Sequence, residues 1–296
     1  MSEILEQCPI CSSRNFNPYM EIADWFFSGE KFSLVKCVKC GLIFVNPRPL
    51  VEKIGIYYAS DEYLSHGLRK KRFIDSIYGL IRKQSIRIKF NLVRSFISGS
   101  NILDIGCGTG EFLTYCKEHG FNAWGVEPNE RGRNFALQNN LNVADSLHNL
   151  DILQGTVDCI TMWHVLEHIH DLNETMGKIH DLLSDDGILV IAVPNCNSLD
   201  ARYFKEYWAA YDVPRHLYHF SKETFSQLAI KFGYDIIKVI PQKFDAYYVS
   251  MLSIKYKYNK MHSWLFPIYG FWFNLWSHYN ENRYSSLIFI LNKKKS

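Results

Sequence analysis

The stretch Leu103-Asp104-Ile105-Gly106-Cys107-Gly108-Thr109-Gly110, followed by Gly125-Val126-Glu127-Pro128-Asn129, constrains this chain more than any other feature. It reads as a buried strand, a glycine turn, a helix, a second strand and an acid at that strand's end. This is the layout of a nucleoside-binding βαβ unit. Glycines at alternate positions turn the backbone sharply and let it approach a ligand without Cβ clashes. Glu127 follows Gly110 by 17 residues, where a carboxylate can accept hydrogen bonds from both ribose hydroxyls.

Charge narrows the choice of ligand. A dinucleotide fingerprint has glycine at its sixth position, so that a helix N-terminus can reach a pyrophosphate. Counted from Gly106, that position is Glu111, which repels a pyrophosphate. Asp104, just before the turn, adds a second negative charge. A cationic nucleoside without phosphate fits, and S-adenosylmethionine is one: it carries a sulfonium, an amino group, a ribose and an adenine.

On LDIGCGTG (103–110), GVEPN (125–129), ADS (144–146), DCITMWHVLEHIHD (158–171) and GILVIAVPN (187–195), the chain resembles the class I S-adenosylmethionine-dependent methyltransferases from about residue 100 to its C-terminus. The resemblance implies that Asp104, Gly106, Cys107, Gly108 and Gly110 hold the methionine part and that Glu127 and Pro128 hold the ribose. It places Asp145 and Ser146 beside the adenine, and Trp163 and His164 flanking the cofactor.

The periodicity predicts strands near 100–105, 121–127, 141–144, 156–162, 187–193, 234–240 and 285–293, with helices near 109–119, 129–139, 171–184 and 221–232. Strands alternating with helices imply an α/β, Rossmann-like, seven-stranded and mostly parallel sheet covered on both faces. The last strand is antiparallel in the family. Hydrophobic content of 47% and charged content of 21% describe a globular chain. A net charge of +3 gives no general argument for nucleic acid. The N-terminus has neither a basic region nor an apolar run, so the expectation is a cytoplasmic protein without a secretory signal.

Cys107, Cys116, Cys159 and Cys196 are scattered through the α/β region, as small core residues are. Cys8, Cys11, Cys37 and Cys40 form two CxxC pairs separated by 25 residues. Two such turns complete a tetrahedral thiolate site, as in zinc ribbons. With four protein thiolates no position stays open, so the expected ion is a structural zinc, with a redox CxxC as the rival. The domain reading follows: a ribbon over 1–50, a helical linker or lid over 51–98, and the methyltransferase domain over 99–296. The basic helical segment at about 68–98 reads as a solvated face, with a phosphate-binding surface as the sharper alternative.

Two histidine-rich loops fall where chemistry is expected. In Trp163-His164-Val165-Leu166-Glu167-His168-Ile169-His170, His164 is a candidate base, while Glu167 and His168 read as structural. The second loop is Asp212-Val213-Pro214-Arg215-His216-Leu217-Tyr218-His219-Phe220-Ser221, with Ser221 as an N-cap. Its His-Leu-x-x-Phe-Ser pattern resembles the catalytic loop of zinc-containing deoxysugar C-methyltransferases, which also start with a four-cysteine ribbon. Carried over, His216 matches their catalytic histidine; their preceding glutamate is Arg215 here. His216 is therefore the leading base, with His219 as another candidate. Arg215 is read as a binder of an acceptor phosphate or carboxylate. Tyr211 and Tyr218 would shape the acceptor pocket, and Tyr57, Tyr58, Tyr63 and His66 would close over the cofactor.

An insertion at about 246–284 is rich in aromatic residues and preceded by Lys255, Lys257 and Lys260. Through 256–283 it could lie in a membrane interface on the inner face, but a helix packed on the domain or in a dimer contact is the favoured reading. The function expected is methyl transfer to a sugar or glycan precursor, nucleotide-linked or lipid-linked, with O-methylation favoured over C-methylation because of Arg215. An RNA methyltransferase gripping nucleic acid with its ribbon, and a non-catalytic assembly partner, are the rivals. Oligomeric state is left open.

Overall fold

The computed structural model describes residues 2–58, 74–258, 265–279 and 283–295. The N-terminal strands are β1 (Ser2–Glu3), β2 (Phe16–Ala23), β3 (Lys31–Cys37), β4 (Ile43–Val45) and β5 (Arg48–Pro49), with a short α1 (Val51–Ile54) behind them. The long α2 (Ile74–Arg94) then leads into β6 (Asn101–Ile105), α3 (Glu111–Glu118), β7 (Asn122–Val126), α4 (Glu130–Gln138) and β8 (Asn142–Ala144). Next come β9 (Val157–Trp163), α5 (Leu172–Leu182), β10 (Leu183–Pro194), α6 (Leu199–Phe204) and β11 (Tyr218–His219). The chain closes with α7 (Lys222–Lys231), β12 (Tyr234–Pro241), α8 (Asp245–Tyr258), α9 (Phe266–Tyr279) and β13 (Ser286–Lys293).

Seven strands form one sheet in the order β12-β13-β10-β9-β6-β7-β8. β13 runs antiparallel to both neighbours, and the pairs among β10, β9, β6, β7 and β8 are parallel. The α/β fold read from the sequence is thus present, with its antiparallel last strand. Helices on both faces explain why Gly187 to Pro194 of β10 is buried without alternation. The caps follow local chemistry. Asn129 accepts from Gly132 N at 3.1 Å at the start of α4, and Ser221 with Thr224 makes a reciprocal capping box at the start of α7.

The second sheet crosses the boundary drawn from sequence. Its order is β11-β4-β3-β2, so the N-terminal sheet takes its edge strand from residues 218–219. Cys8, Cys37, Cys40, Leu42 and Phe44 share one buried cluster with Leu103, Ile160 and Leu189 of the large sheet. Gln227 donates to Cys40 O and Lys231 to Pro9 O, which ties each cysteine turn to α7.

Candidate active site

The chain runs outward through β6, β7 and β8 and then returns to the other side of β6 with β9. That reversal makes the β6/β9 edge a switch point, where doubly wound sheets bind ligands beyond the carboxyl ends of their strands. The predicted cofactor residues gather there. Gly106 to Gly110 follow β6, Glu127 and Pro128 follow β7, Asp145 and Ser146 follow β8, Trp163 ends β9 and His164 follows it.

Gly106, Gly108 and Gly110 all have positive φ, at 74°, 56° and 78°. A Cβ on Gly106 would lie 2.3 Å from Val165 Cγ2, and one on Gly110 2.4 Å from Leu141 Cδ1. A Cβ on Gly108 would meet nothing within 4 Å, so the middle of the loop presents bare backbone to open space. This is a cradle that a nucleoside-linked methionine fits. Glu127 braces it: Oε2 accepts from Gly108 N and Oε1 from Asn129 N, both at 2.8 Å. The same carboxylate retains lone pairs for ribose hydroxyls.

Asp104 is buried and accepts from Thr161 Oγ1 at 2.5 Å. Burial pushes its carboxyl up to about 7, against the pull of Thr161 and Lys89. A cationic ligand nearby would favour the charged form, as a sulfonium or amino group would. Lys89 of α2 lies 4.5 Å from the Trp163 ring centroid, and its ammonium is held below the usual range by burial. Sequence reading took α2 as a solvated basic face and so missed Lys89. Its only signal was position, on the inner side of a helix with Phe90 and Val93. Asp145 is exposed, and Asn149 donates to it at 2.7 Å, holding its carboxyl below the usual range.

The candidate catalytic residues separate sharply. His164 Nε2 lies 2.9 Å from Asp245 Oδ2, and its Nδ1 lies 3.5 Å from Glu167 Oε1. Burial opposes its charge, but these two carboxylates raise it to about 10. With both ring nitrogens turned to carboxylates, His164 has neither one free for an acceptor, which argues against His164 as the base. Asp245, at the start of α8, was not singled out from the sequence; an acid heading a predicted insertion carries no pattern of its own. His219 also drops out. It is buried within β11 against Tyr211, and burial pushes its imidazole down to about 3, so the acceptor does not reach it.

His216 is placed differently. Its Nδ1–H donates to Ala210 O at 2.8 Å, since a carbonyl can only accept. That fixes the tautomer and leaves the lone pair on Nε2. Nε2 lies 3.9 Å from Asp212 Oδ2, and the ring meets His168 edge to face at 4.5 Å between centroids. His168 is held the same way, donating from Nδ1 to Arg215 O at 3.0 Å, with Tyr58 Oη 2.9 Å from that nitrogen. Its imidazole is pushed down to about 4, chiefly by burial. Glu167 is 1% exposed and makes no conventional hydrogen bond to a described residue through either oxygen. Against burial, His164, His216 and His168 hold its carboxyl down to about 2. One atom each of Glu167, His168 and His216 lie within 4.8 Å of one another, a spacing that a divalent cation can bridge.

Arg215 is not available to an acceptor. It is 1% exposed, with Nη2 donating to Asp24 Oδ1 at 2.8 Å and to Asp212 Oδ1 at 2.7 Å, and Nε to Asp212 Oδ2 at 3.0 Å. Its remaining nitrogen donates to Tyr57 O at 3.0 Å. The guanidinium is a fastener between the N-terminal sheet and the loop, which corrects its reading as an anion binder. Tyr211 is buried with its hydroxyl 3.5 Å from that of Tyr19. Tyr218 accepts from Arg48 at 2.7 Å and donates to His170 O at 3.1 Å. Tyr218 holds the loop from behind, while Tyr211 lines a narrow cleft with Trp208, Asp212 and Arg215. Tyr57 reaches Glu30, and Tyr63 and His66 lie outside the described residues.

At the cysteine turns, Cys8 and Cys40 sulfurs are 3.4 Å apart and those of Cys11 and Cys37 3.5 Å, and all four lie within 4.8 Å. Tetrahedral thiolates about 2.3 Å from zinc stand ~3.8 Å apart, so the donor set fits that ion. Backbone N–H groups of Ile10 and Cys11 point at Cys8, and those of Lys39 and Cys40 at Cys37, as in a metal-binding knuckle.

Known proteins match this description. A methyltransferase domain model matches residues 81–239, more than half of the chain. The ubiquinone biosynthesis O-methyltransferase of Coxiella burnetii is 28% identical over 119 residues, 38% of this chain and 51% of that protein. The chain thus matches about half the length of such curated relatives. Among solved structures, an S-adenosylmethionine-dependent methyltransferase from Archaeoglobus fulgidus gives a TM-score of 0.50 at 22% identity, covering 72% of this chain and 94% of that one. Geranyl diphosphate C-methyltransferase from Streptomyces coelicolor gives 0.52 at 12% identity, covering 79% and 88%. These two show the fold. With the matched domain, the glycine cradle and the braced acid together, the chain belongs to the methyltransferase-domain family in its class I, S-adenosylmethionine-dependent form.

Proposed function

We propose that the protein moves the methyl group of S-adenosylmethionine to a hydroxyl of a sugar or glycan precursor, nucleotide-linked or lipid-linked. The observation that carries the O-methyl reading is His216 with its lone pair fixed on Nε2 by Ala210. When bound, the cofactor supplies a methyl group already activated on sulfonium. The protein's tasks are then to orient the two partners and to accept the hydroxyl proton. Gly106 to Gly110 and Glu127 hold the donor. His216 takes the proton at Nε2, and Asp212, 3.9 Å from that nitrogen, steadies the imidazolium that forms. Methylation of oxygen by a curated relative agrees with this choice. The sugar class rests on the four-cysteine turns and the His-Leu-x-x-Phe-Ser loop, which resemble those of deoxysugar enzymes.

His216→Asn tests the assignment. Loss of a general base lowers turnover by roughly 10²–10⁴-fold, while S-adenosylmethionine affinity by calorimetry stays within about twofold. Equal loss of both would make His216 a structural residue instead. A second reading is favoured by the buried carboxylate of Glu167 beside His168 and His216. A divalent cation there would lower the acceptor's pKa, with His216 as a ligand. Turnover that falls with chelator and returns with magnesium or manganese would select this form over the metal-free one. The same reading takes Cys8, Cys11, Cys37 and Cys40 as holding a structural zinc.

A further inference from the structure

Helix α9 presents two apolar faces. Tyr269, Gly270 and Phe273 turn inward, where Tyr269 and Phe273 pack against Tyr203 and Phe204. A Cβ on Gly270 would lie 2.4 Å from Tyr247, so α8 and α9 are in close contact. The opposite face carries Ile268, Phe271, Trp272, Leu275, Trp276 and Tyr279, at successive spacings of three, one, three, one and three residues. That pattern is one helical stripe, and its members are 39–76% exposed. Trp272 and Trp276 stack along it at 6.5 Å between centroids. Six large apolar side chains on one solvent-facing stripe mark an interaction surface.

Charge and residue type identify what covers it. From Phe244 to Tyr279 the sequence holds one carboxylate, Asp245, and three lysines, Lys255, Lys257 and Lys260. Asp245 is turned toward His164. Lys257 turns onto Tyr203, whose carbonyl oxygen it reaches at 3.3 Å, so Lys255 and Lys260 leave the segment's sequence with positive charge and no free acid. Tryptophan and tyrosine are the residues that settle at headgroup depth, where one part of the ring is dry and the other wet. A helix of 14 residues is about 21 Å long, too short to cross a bilayer but suited to lying in its surface. No helix among the described residues is long and apolar enough to span.

We propose that the outer face of α9 seats in the headgroup region of an anionic membrane. α8 starts at Asp245, so docking through this hairpin holds the site beside the bilayer surface. The test is flotation of the full chain with phosphatidylcholine vesicles, with and without phosphatidylglycerol. Wild type floats with the anionic vesicles, and at least tenfold less with phosphatidylcholine alone or in high salt. Trp272→Ala with Trp276→Ala abolishes flotation, and Lys255→Glu weakens it severalfold. Both variants keep wild-type circular dichroism and S-adenosylmethionine affinity, which shows that the fold and the donor site are intact. Wild type that stays in solution with anionic vesicles overturns the proposal. So does flotation that survives the double substitution. Light scattering that finds a wild-type dimer and a monomeric double variant assigns the face to a second copy instead, and overturns it as well.

Discussion

The glycine loop and the acceptor loop both follow strands of one sheet, yet they are held by opposite means. Gly106 and Cys107 bond to Val126 O, and Gly108 to Glu127, a partner 19 residues away. The acceptor loop is held across the chain: Arg215 to Asp24 over 191 residues, Tyr218 to Arg48 over 170, Tyr211 to Tyr19 over 192. The glycine loop and its bracing acid come from one βαβ unit. The loop proposed to meet the acceptor is instead clamped onto a second module.

Chelation of the zinc proposed for the cysteine turns should break the comparison most. Structural zinc in small modules contributes about 10–16 kcal/mol of apparent folding free energy. Strong chelator should therefore unfold β2 to β4 and release β11, abolishing turnover before S-adenosylmethionine binding declines. Zinc content by elemental analysis and parallel titrations of the two activities check this; binding lost first would reverse the assignment of the two modules.

Arg215→Met comes next. Breaking a buried pair while leaving Asp24 and Asp212 uncompensated costs about 3–5 kcal/mol. Urea unfolding should show that loss, and adding Asp24→Asn should restore part of it. A loss confined to KM for an anionic acceptor, with stability unchanged, would return Arg215 to substrate binding.

Gly106→Ala probes the other loop. At φ 74° with Val165 Cγ2 2.3 Å from the new Cβ, strain of order 1–3 kcal/mol falls on the cradle. S-adenosylmethionine affinity should drop roughly tenfold or more, while the ion pairs of Arg215 stay intact. Undiminished affinity would mean the loop is not the methionine site.

The last test is a pH dependence. His164 is raised in the fold to about 10 from an ordinary 6.5. Its contribution to stability is thus complete below about pH 6.5 and fades as pH rises toward 10. Urea midpoints should fall across that interval, and less so in Asp245→Asn. A flat profile between pH 7 and pH 10 would show that His164 is neutral throughout.

How much could be read in advance follows the same division. The seven strands and the four helices between them stand close to where periodicity set them, because each is coded by its own residues: apolar runs for β6 and β9, Asn129 and Ser221 as caps. The cofactor residues were legible because they occupy turns at set spacing. His216 could be singled out by its loop. Arg215 could not be placed, since nothing near it signals a partner in β2–β3 chemistry at Asp24. Lys89 was hidden among eight other basic residues of one segment. The bounds of α9 were not legible within the aromatic insertion because apolar residues occupy both of its faces, which erases the contrast that reveals an amphipathic period.

The edge strand β11 has a consequence for inheritance and for engineering. Two residues of the acceptor loop complete a sheet that belongs to the N-terminal module. The loop is therefore not a portable cassette. Moving residues 209–221 onto another methyltransferase would carry the histidine but leave behind the surface that shapes it. A working transplant would have to bring the cysteine turns, Asp24 and Arg48 along with it, so loop and module have to be exchanged together.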